Sequence, residues 1–233
     1  MRNLAVIPAR SGSKGLKDKN IKKLDGKPLL AYSIEVAQKT QLFDDIFVST
    51  DSIEYARIAE EWGASVPFLR GPTLATDTAS SWDVLREAVT RYQNCNKTFD
   101  TVALLQPTSP LRTAQDIQEG YRILVEKDAE AVVAVCEVDH SPLWCNILPP
   151  DACLGGFLSP DVLVPRQKLP VHYRVNGALY IVRTDFLMKS DNLYGDKSFA
   201  TIMAKDHSVD IDDEMDFKLA EVLIAETKGG KTL

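Results

Sequence analysis

The sequence predicts an α/β domain with a mostly parallel sheet and helices on both faces. Short apolar runs of strand length alternate with stretches whose apolar residues recur at helical spacing, as crossover-connected parallel strands require. The first run, Leu4–Ile7, leads straight into a loop containing Gly12 and Gly15. A chain of 233 residues, 45% of them apolar, can bury one sizeable core.

Pro8 ends the first strand because it cannot donate to a ladder. Lys27-Pro28 opens a helix carrying Leu30, Ile34 and Ala37. Ile46–Thr50 is the second strand, and Asp51 is placed to cap a helix bearing Tyr55, Ile58 and Trp62, closed by Gly63. Val66–Leu69 reads as a short strand, and Trp82, Leu85, Val89 and Tyr92 mark a third helix. Thr101–Leu105 is a strand, and Thr113 with Asp116 has the form of a capping box before Ile117, Tyr121 and Leu124. Ala131–Val138 is a nearly continuous apolar strand. The rhythm then fails from Ser141 to Val175, where prolines cluster, and this part looks like an inserted lobe. Ala178–Val182 resumes the sheet, Asp213–Ala225 is a closing helix, and the last residues from Lys228 form a loose tail.

A formal net charge of −6 excludes a broad nucleic-acid or anionic-membrane footprint. No apolar stretch reaches membrane-spanning length, and the N-terminal run is too short for a secretory signal, so a cytoplasmic protein is expected. Cys95, Cys136, Cys145 and Cys153 form no C-x-x-C pair and the histidines are scattered, which argues against zinc and for reduced thiols.

Ligands of such sheets lie beyond the carboxyl ends of the strands. The loop after the first strand carries Arg10, Lys14, Lys17 and Lys19 with Ser11 and Ser13. It reads either as an anion site fit for a nucleoside triphosphate or as a basic surface turn. Neither G-x-x-x-x-G-K-[ST] nor G-x-G-x-x-G is present. Gln106–Arg112 offers amide, hydroxyl and guanidinium groups on a proline-stiffened loop, for a base or sugar or simply as a strand-to-helix turn. The hydroxyls of Ala75–Ser81 either cap the next helix or meet a nucleotide. Asp210 and Asp212 fall on one side of an extended segment, where they either hold Mg²⁺ or leave Asp212 as a helix cap with Asp210 solvated. Arg166 and Arg174 either grip a substrate carboxylate or form surface ion pairs.

Taken together and in order, these segments resemble the N-acylneuraminate cytidylyltransferases and their bacterial relatives acting on other nonulosonic acids. The matching stretches are Ala9-Arg10-x-x-Ser13-Lys14-Gly15-x-x-x-Lys19-Asn20, Val48–Asp51, Asp77–Ser81, Leu105–Arg112, Pro165–Gln167, Arg174–Ala178 and Ser208–Asp212. The resemblance implies a Rossmann-like nucleotidyltransferase fold, with a lobe at about 139–177 used for dimerisation and substrate. It implies CTP, a nonulosonic acid and Mg²⁺ (or Mn²⁺), with in-line attack of the sugar's anomeric 2-hydroxyl on the α-phosphate. Ala9, Arg10, Ser13, Lys14, Lys19, Asn20, Ser80 and Ser81 would then bind nucleotide. Gln106, Thr108, Ser109, Arg166, Arg174 and Tyr180 would face the sugar acid, Asp210 and Asp212 the metal, with Arg10, Lys14 and Asp212 closest to the chemistry.

A homodimer is expected, because Leu143, Trp144, Leu148, Leu154, Phe157 and Leu158 have little core of their own in the lobe. Trp144 stands where some sialic acid synthetases of the family have a lysine. Its apolar face suits a methyl or acetamido group, so a preference for a deoxy diacylamido acid such as legionaminic acid is expected. The rivals are a cytidylyltransferase for a simpler 2-keto acid, a nicotinamide dehydrogenase and a nucleotide-binding module without turnover.

Overall fold

In the computed structural model, which describes residues 1–12, 15–76 and 80–228, the first apolar run is a strand, β1 (Asn3–Pro8), covered on both faces. Its side chains alternate, as a pleated strand demands. Ala5 and Ile7 enter one core while Leu4 and Val6 enter the other. The chain continues through a small ladder of β2 (Lys23–Leu24) and β3 (Lys27–Pro28), then α1 (Leu29–Thr40), β4 (Asp45–Ser49), α2 (Ile53–Glu61), α3 (Ser81–Asn94) and β5 (Thr101–Leu105). It closes with α4 (Ala114–Glu126), β6 (Ala131–Glu137), β7 (Tyr173–Arg183), α5 (Thr184–Lys189), β8 (Ser198–Ile202) and α6 (Glu214–Lys228).

The main sheet has the order β4-β1-β5-β7-β6-β8. β1 pairs in parallel with β4 and β5, and β6 with β8, whereas β7 runs antiparallel to both of its neighbours. Leu30 and Ile34 of α1, Tyr55 of α2 and Ile117, Tyr121 and Leu124 of α4 pack on one face. Leu85, Val89 and Tyr92 of α3 with Leu187 of α5 pack on the other. A third cluster sets Phe217, Ala220 and Ile224 of α6 against Leu16, Leu24, Leu29 and Ile211.

Several local expectations change. Val66–Leu69 forms no strand; Pro67 interrupts it, and only Ser65 bridges to Phe47. Ser52, not Asp51, caps α2 by accepting the Tyr55 N–H at 3.3 Å. β7 begins at Tyr173, so the last five residues of the expected lobe belong to the sheet. α5, β8 and the β2–β3 ladder are elements that the sequence pattern did not mark. The Thr113–Asp116 capping box is present as expected. Between positions 139 and 172 the chain makes only 3-10 turns, with Ser141 and Val162 buried and Ile147, Leu148, Leu154 and Leu163 exposed.

One buried charge ties the sheet to the loop after β5. Arg112, 3% exposed, donates Nη1 to the carbonyls of Gln106 (3.3 Å) and Ala178 (2.5 Å) and Nη2 to Ser33 Oγ (2.6 Å). Burial pushes its pKa down to about 9, leaving it protonated at neutral pH. Arg112→Met should strand these acceptors in the interior, each costing about 1–3 kcal/mol. A destabilisation of roughly 2–5 kcal/mol is expected, and Arg112→Lys should recover only part of it, since one ammonium cannot replace a three-way fork. Denaturant melts check this, and a parent-like midpoint in Arg112→Met contradicts it.

Candidate active site

β1 lies between β4, which follows it in the chain, and β5, which comes next. The connection reverses direction across the sheet there, leaving a crevice beyond the carboxyl ends of β1 and β5. A cleft of about 470 Å³ occupies it. One wall is the loop after β1, with Arg10, Gly15, Lys19 and Asn20; another is Gln106, Pro107 and Thr108; Ser81 and Val84 of α3 and Asp212 complete it.

Two close approaches shape this cleft. A Cβ on Gly15 would lie 2.7 Å from the Asp212 carbonyl, so only glycine lets the loop after β1 reach the segment before α6. The second is at Gly177, with φ +76°, inside a register shift between β6 and β7. A Cβ there would stand 3.4 Å from Gln106 Oε1 and 3.7 Å from Asp210 Oδ2. The distorted strand thus brings a neutral amide and a carboxylate together over bare backbone.

The two acidic residues differ in environment. Asp210 is half-buried, and its Oδ1 is buried with no hydrogen-bond partner among the described residues. Burial raises its pKa, a Thr108 hydrogen bond opposes that, and the Asp212 charge adds to it. Asp212 is exposed, and its Oδ1 accepts from Lys19 Nζ at 3.1 Å. Lys19 also donates to the Ile211 carbonyl at 2.6 Å. Neither carboxylate caps α6, because Asp213 Oδ1 takes the N–H groups of Met215 and Asp216.

Among the described residues no group of three or more His, Cys, Asp and Glu side chains could hold a metal. A magnesium ion shared with a polyphosphate needs only one or two carboxylates, the rest being water and phosphate oxygens. An unpartnered buried carboxylate oxygen beside a second carboxylate fits that donor set.

Of the residues read from the sequence, Arg10, Lys19, Asn20, Ser81, Gln106, Thr108 and Asp212 line one cleft. Lys14 and Ser13 lie outside the described residues, as do Asp77, Thr78 and Ala79. Ala9 is buried beneath the cleft and donates its N–H to the Ser49 carbonyl, and the Asn20 amide closes the loop on the Arg10 carbonyl at 3.0 Å. Ser80 caps α3 by accepting from Trp82 N–H. Tyr180 borders an adjoining hollow with Ser81, Trp82 and Gln106 and stacks edge-on against Trp82. Burial, with the Tyr194 and Asp210 charges, pushes its phenol up to about 12, so it stays protonated. Arg174 is exposed on β7 beside the Ser208 carbonyl and lends positive charge to Asp210.

Three residues stand apart. Ser109 is 1% exposed and buried behind the loop. Arg166 is exposed and borders a separate small cavity with Ser141 and His172. Trp144 donates its indole N–H to the Val162 carbonyl at 2.9 Å, within its own segment, and does not line the cleft.

Arg70 was not anticipated. It lines the cleft, donates Nε to Ser49 Oγ at 3.0 Å and Nη2 to the Ser49 carbonyl at 2.6 Å, and burial lowers its pKa to about 10. It sits outside every motif, after a stretch misread as a strand, and no local pattern marks it.

Comparison with known proteins adds the context of this geometry. Residues 4–147 match the family described as cytidylyltransferase. The chain is 40% identical over 219 residues, 93% of its length, to the N-acylneuraminate cytidylyltransferase of Escherichia coli O18:K1:H7 (strain RS218 / NMEC), and it spans about half (51%) of that protein. It is 35% identical to the CMP-N,N'-diacetyllegionaminic acid synthase of Legionella pneumophila, with 96% of this chain and 97% of that protein covered. The solved structure of CMP:2-keto-3-deoxy-manno-octonic acid synthetase complexed with CTP superposes with a TM-score of 0.73 at 17% identity, covering 97% of this chain and 100% of that one. By its sequence the chain belongs to the cytidylyltransferase family.

Proposed function

We propose that the chain is a CMP-nonulosonate synthetase, joining CTP and an N-acylneuraminate-type acid to give the CMP-sugar and pyrophosphate. The observation that carries this reading is the cleft at the β1–β5 crevice, where Arg10 and Lys19 of the loop after β1 meet Asp212, with an unpartnered buried oxygen of Asp210 close by, in a member of the cytidylyltransferase family. A second reading, the same transfer to a 5,7-diacylamido acid, is favoured by the end-to-end match to the diacetyllegionaminate relative. The apolar face of Trp144, on which the expected preference rests, lies outside the cleft lining and adds nothing to it. The ratio of kcat/KM for the two acids decides between them.

In the proposed reaction the anomeric 2-hydroxyl attacks the α-phosphorus in line, the new O–P bond forms, and the bond to the departing pyrophosphate breaks. Little covalent chemistry falls to the protein, so positioning and charge neutralisation carry the catalysis. Arg10 and Lys14 would neutralise the phosphates, with Lys19 beside them. Gln106 and Thr108 would hydrogen-bond the sugar acid, and Arg174, which lends charge to Asp210, would receive its carboxylate. Asp210 and Asp212 would hold Mg²⁺ (or Mn²⁺), which when bound neutralises phosphate charge and lowers the pKa of a coordinated hydroxyl or water.

Pyrophosphate release should require both CTP and a nonulosonic acid. Arg10→Ala or Lys14→Ala should reduce turnover on the order of tenfold to a thousandfold, the cost of losing a transition-state charge stabiliser. Near-parent turnover in both variants contradicts the assignment of this loop to the phosphates.

For the metal, Asp210→Asn should raise the Mg²⁺ concentration needed for half-maximal rate and weaken Mn²⁺ binding measured with nucleotide present. Activity that survives excess chelator rules out the two-carboxylate site.

We also propose a homodimer formed through the 139–172 segment, since Ile147 (90% exposed), Leu154 (65%) and Leu163 (67%) lie bare on it. Sedimentation at micromolar concentration should give the dimer mass, and a fully active monomer argues against the proposal.

A further inference from the structure

The loop that presents Arg10 and Lys19 borrows its shape from elsewhere. At its start, Ser11 donates its N–H to Asp51 Oδ1 at 2.8 Å and its hydroxyl to Oδ2 at 2.7 Å. Near its end, Asp18 has φ +52°, a left-handed conformation that is unfavourable without glycine. Its Oδ1 accepts a hydrogen bond from the Tyr55 phenol at 3.1 Å. The Asp18 carbonyl in turn receives the N–H groups of Ile21 and Lys22, building the turn that delivers Lys19 and Asn20.

Both holding groups come from the beginning of α2. Asp51 precedes the helix, Tyr55 lies in its first turn, and neither lines the cleft. The Tyr55 ring is 2% exposed within the main core, so its hydroxyl has a fixed place. Burial alone would raise the Asp51 carboxyl. The two Ser11 hydrogen bonds and the Arg70 charge outweigh it and hold the group below its usual value, an ionised acceptor near neutral pH. The bland account is that a buried phenol and a half-buried carboxylate merely find partners. It does not explain why both partners sit on the same loop, one at each end.

We propose that Asp51 and Tyr55 are positioning residues for nucleotide binding, making the start of α2 a two-point clamp that, through Ser11 and Asp18, holds Arg10 at one end and Lys19 and Asn20 at the other ready for phosphate. A loop already ordered loses less conformational freedom when ligand arrives, so the clamp acts on nucleotide affinity. The inference rests on the cytidylyltransferase reading and names residues that reading leaves unused.

The test uses the full chain with Tyr55→Phe, Asp51→Asn and Asp51→Ala. It measures CTP affinity by calorimetry without sugar acid, KM for each substrate, kcat and thermal melts. Tyr55→Phe removes one oxygen and keeps the ring, so it should fold even if Asp51→Ala does not. CTP Kd and KM should rise about threefold to tenfold in Tyr55→Phe and Asp51→Ala, the net worth of a hydrogen bond. Asp51→Asn, which keeps an acceptor for Ser11, should fall between parent and Asp51→Ala. KM for the sugar acid and kcat at saturating CTP should stay within about twofold, because the clamp acts through binding. Parent-like CTP affinity, with or without a lowered melting temperature, assigns the two residues a purely structural role and overturns the inference. So does an equal loss for both substrates. A parent protein that binds no CTP instead brings down the cytidylyltransferase reading and the clamp with it.

Discussion

Three stretches distant in sequence are tied at the backbone of Ile211, and the cleft exists because they are. The Ile211 N–H donates to the Thr108 carbonyl at 2.8 Å, its carbonyl accepts from Lys19 Nζ, and its side chain is fully buried with Leu16, Leu24 and Phe217. The loop after β1, the loop after β5 and the segment before α6 therefore share one anchor. Burying such a side chain stabilises by about 1.5–3 kcal/mol. The more consequential effect is placement: with Ile211 held, Asp212 lines the cleft and Asp210, on the other side of Ile211, lies within the field of Asp212 and Lys19.

The antiparallel β7 serves the same end. A wholly parallel sheet would end its neighbours' strands at one rim and place a new loop there. β7 instead enters from that rim, and its distortion at Gly177 exposes backbone to Gln106 and Asp210. Asn176 pins the distortion by donating to Ser208 Oγ at 2.9 Å and accepting the Ala178 N–H at 3.1 Å. The buried guanidinium of Arg112 reaches the Ala178 and Gln106 carbonyls from behind. The floor of the cleft is therefore a fully cross-braced piece of backbone, as a site that works by positioning needs.

Charge is distributed unevenly and to a purpose. The chain is acidic overall, yet Arg10, Lys19 and Arg70 converge on one cleft. Arg70 keeps its charge in a buried setting because Ser49 and the nearby Asp51 offset its desolvation. Asp51 thus touches two parts of the cationic wall, one through Ser11 and one through the field at Arg70. Among the described residues no helix is long and apolar enough to cross a membrane. The 139–172 segment leaves Ile147, Leu148, Leu154 and Leu163 exposed.

The sequence by itself determined the strands and helices whose pattern is plain: β1, β5, β6, α3 and α4 follow from continuous apolar runs, helical spacing and the capping box at Thr113. It also showed which loops carry donors and cations, because β1 and β5 end at Pro8 and Leu105, and ligand chemistry gathers beyond such ends. Only the tertiary structure decided what those residues face. Asp210 and Asp212 look equivalent in the sequence, but one is buried with an unpartnered oxygen and the other is exposed against Lys19. Ser109 and Arg166 look like site residues, but one lies behind the loop and the other on a different surface. Arg70 and Tyr55 had no motif to mark their roles, and Asp51, although within the matched Val48–Asp51 stretch, reads there as a helix cap; the partners of the three are 21, 37 and 40 positions away. Local pattern reports what a residue's neighbours in the chain impose, whereas burial, pairing and electrostatic field arise from neighbours in space, which only the folded chain assembles.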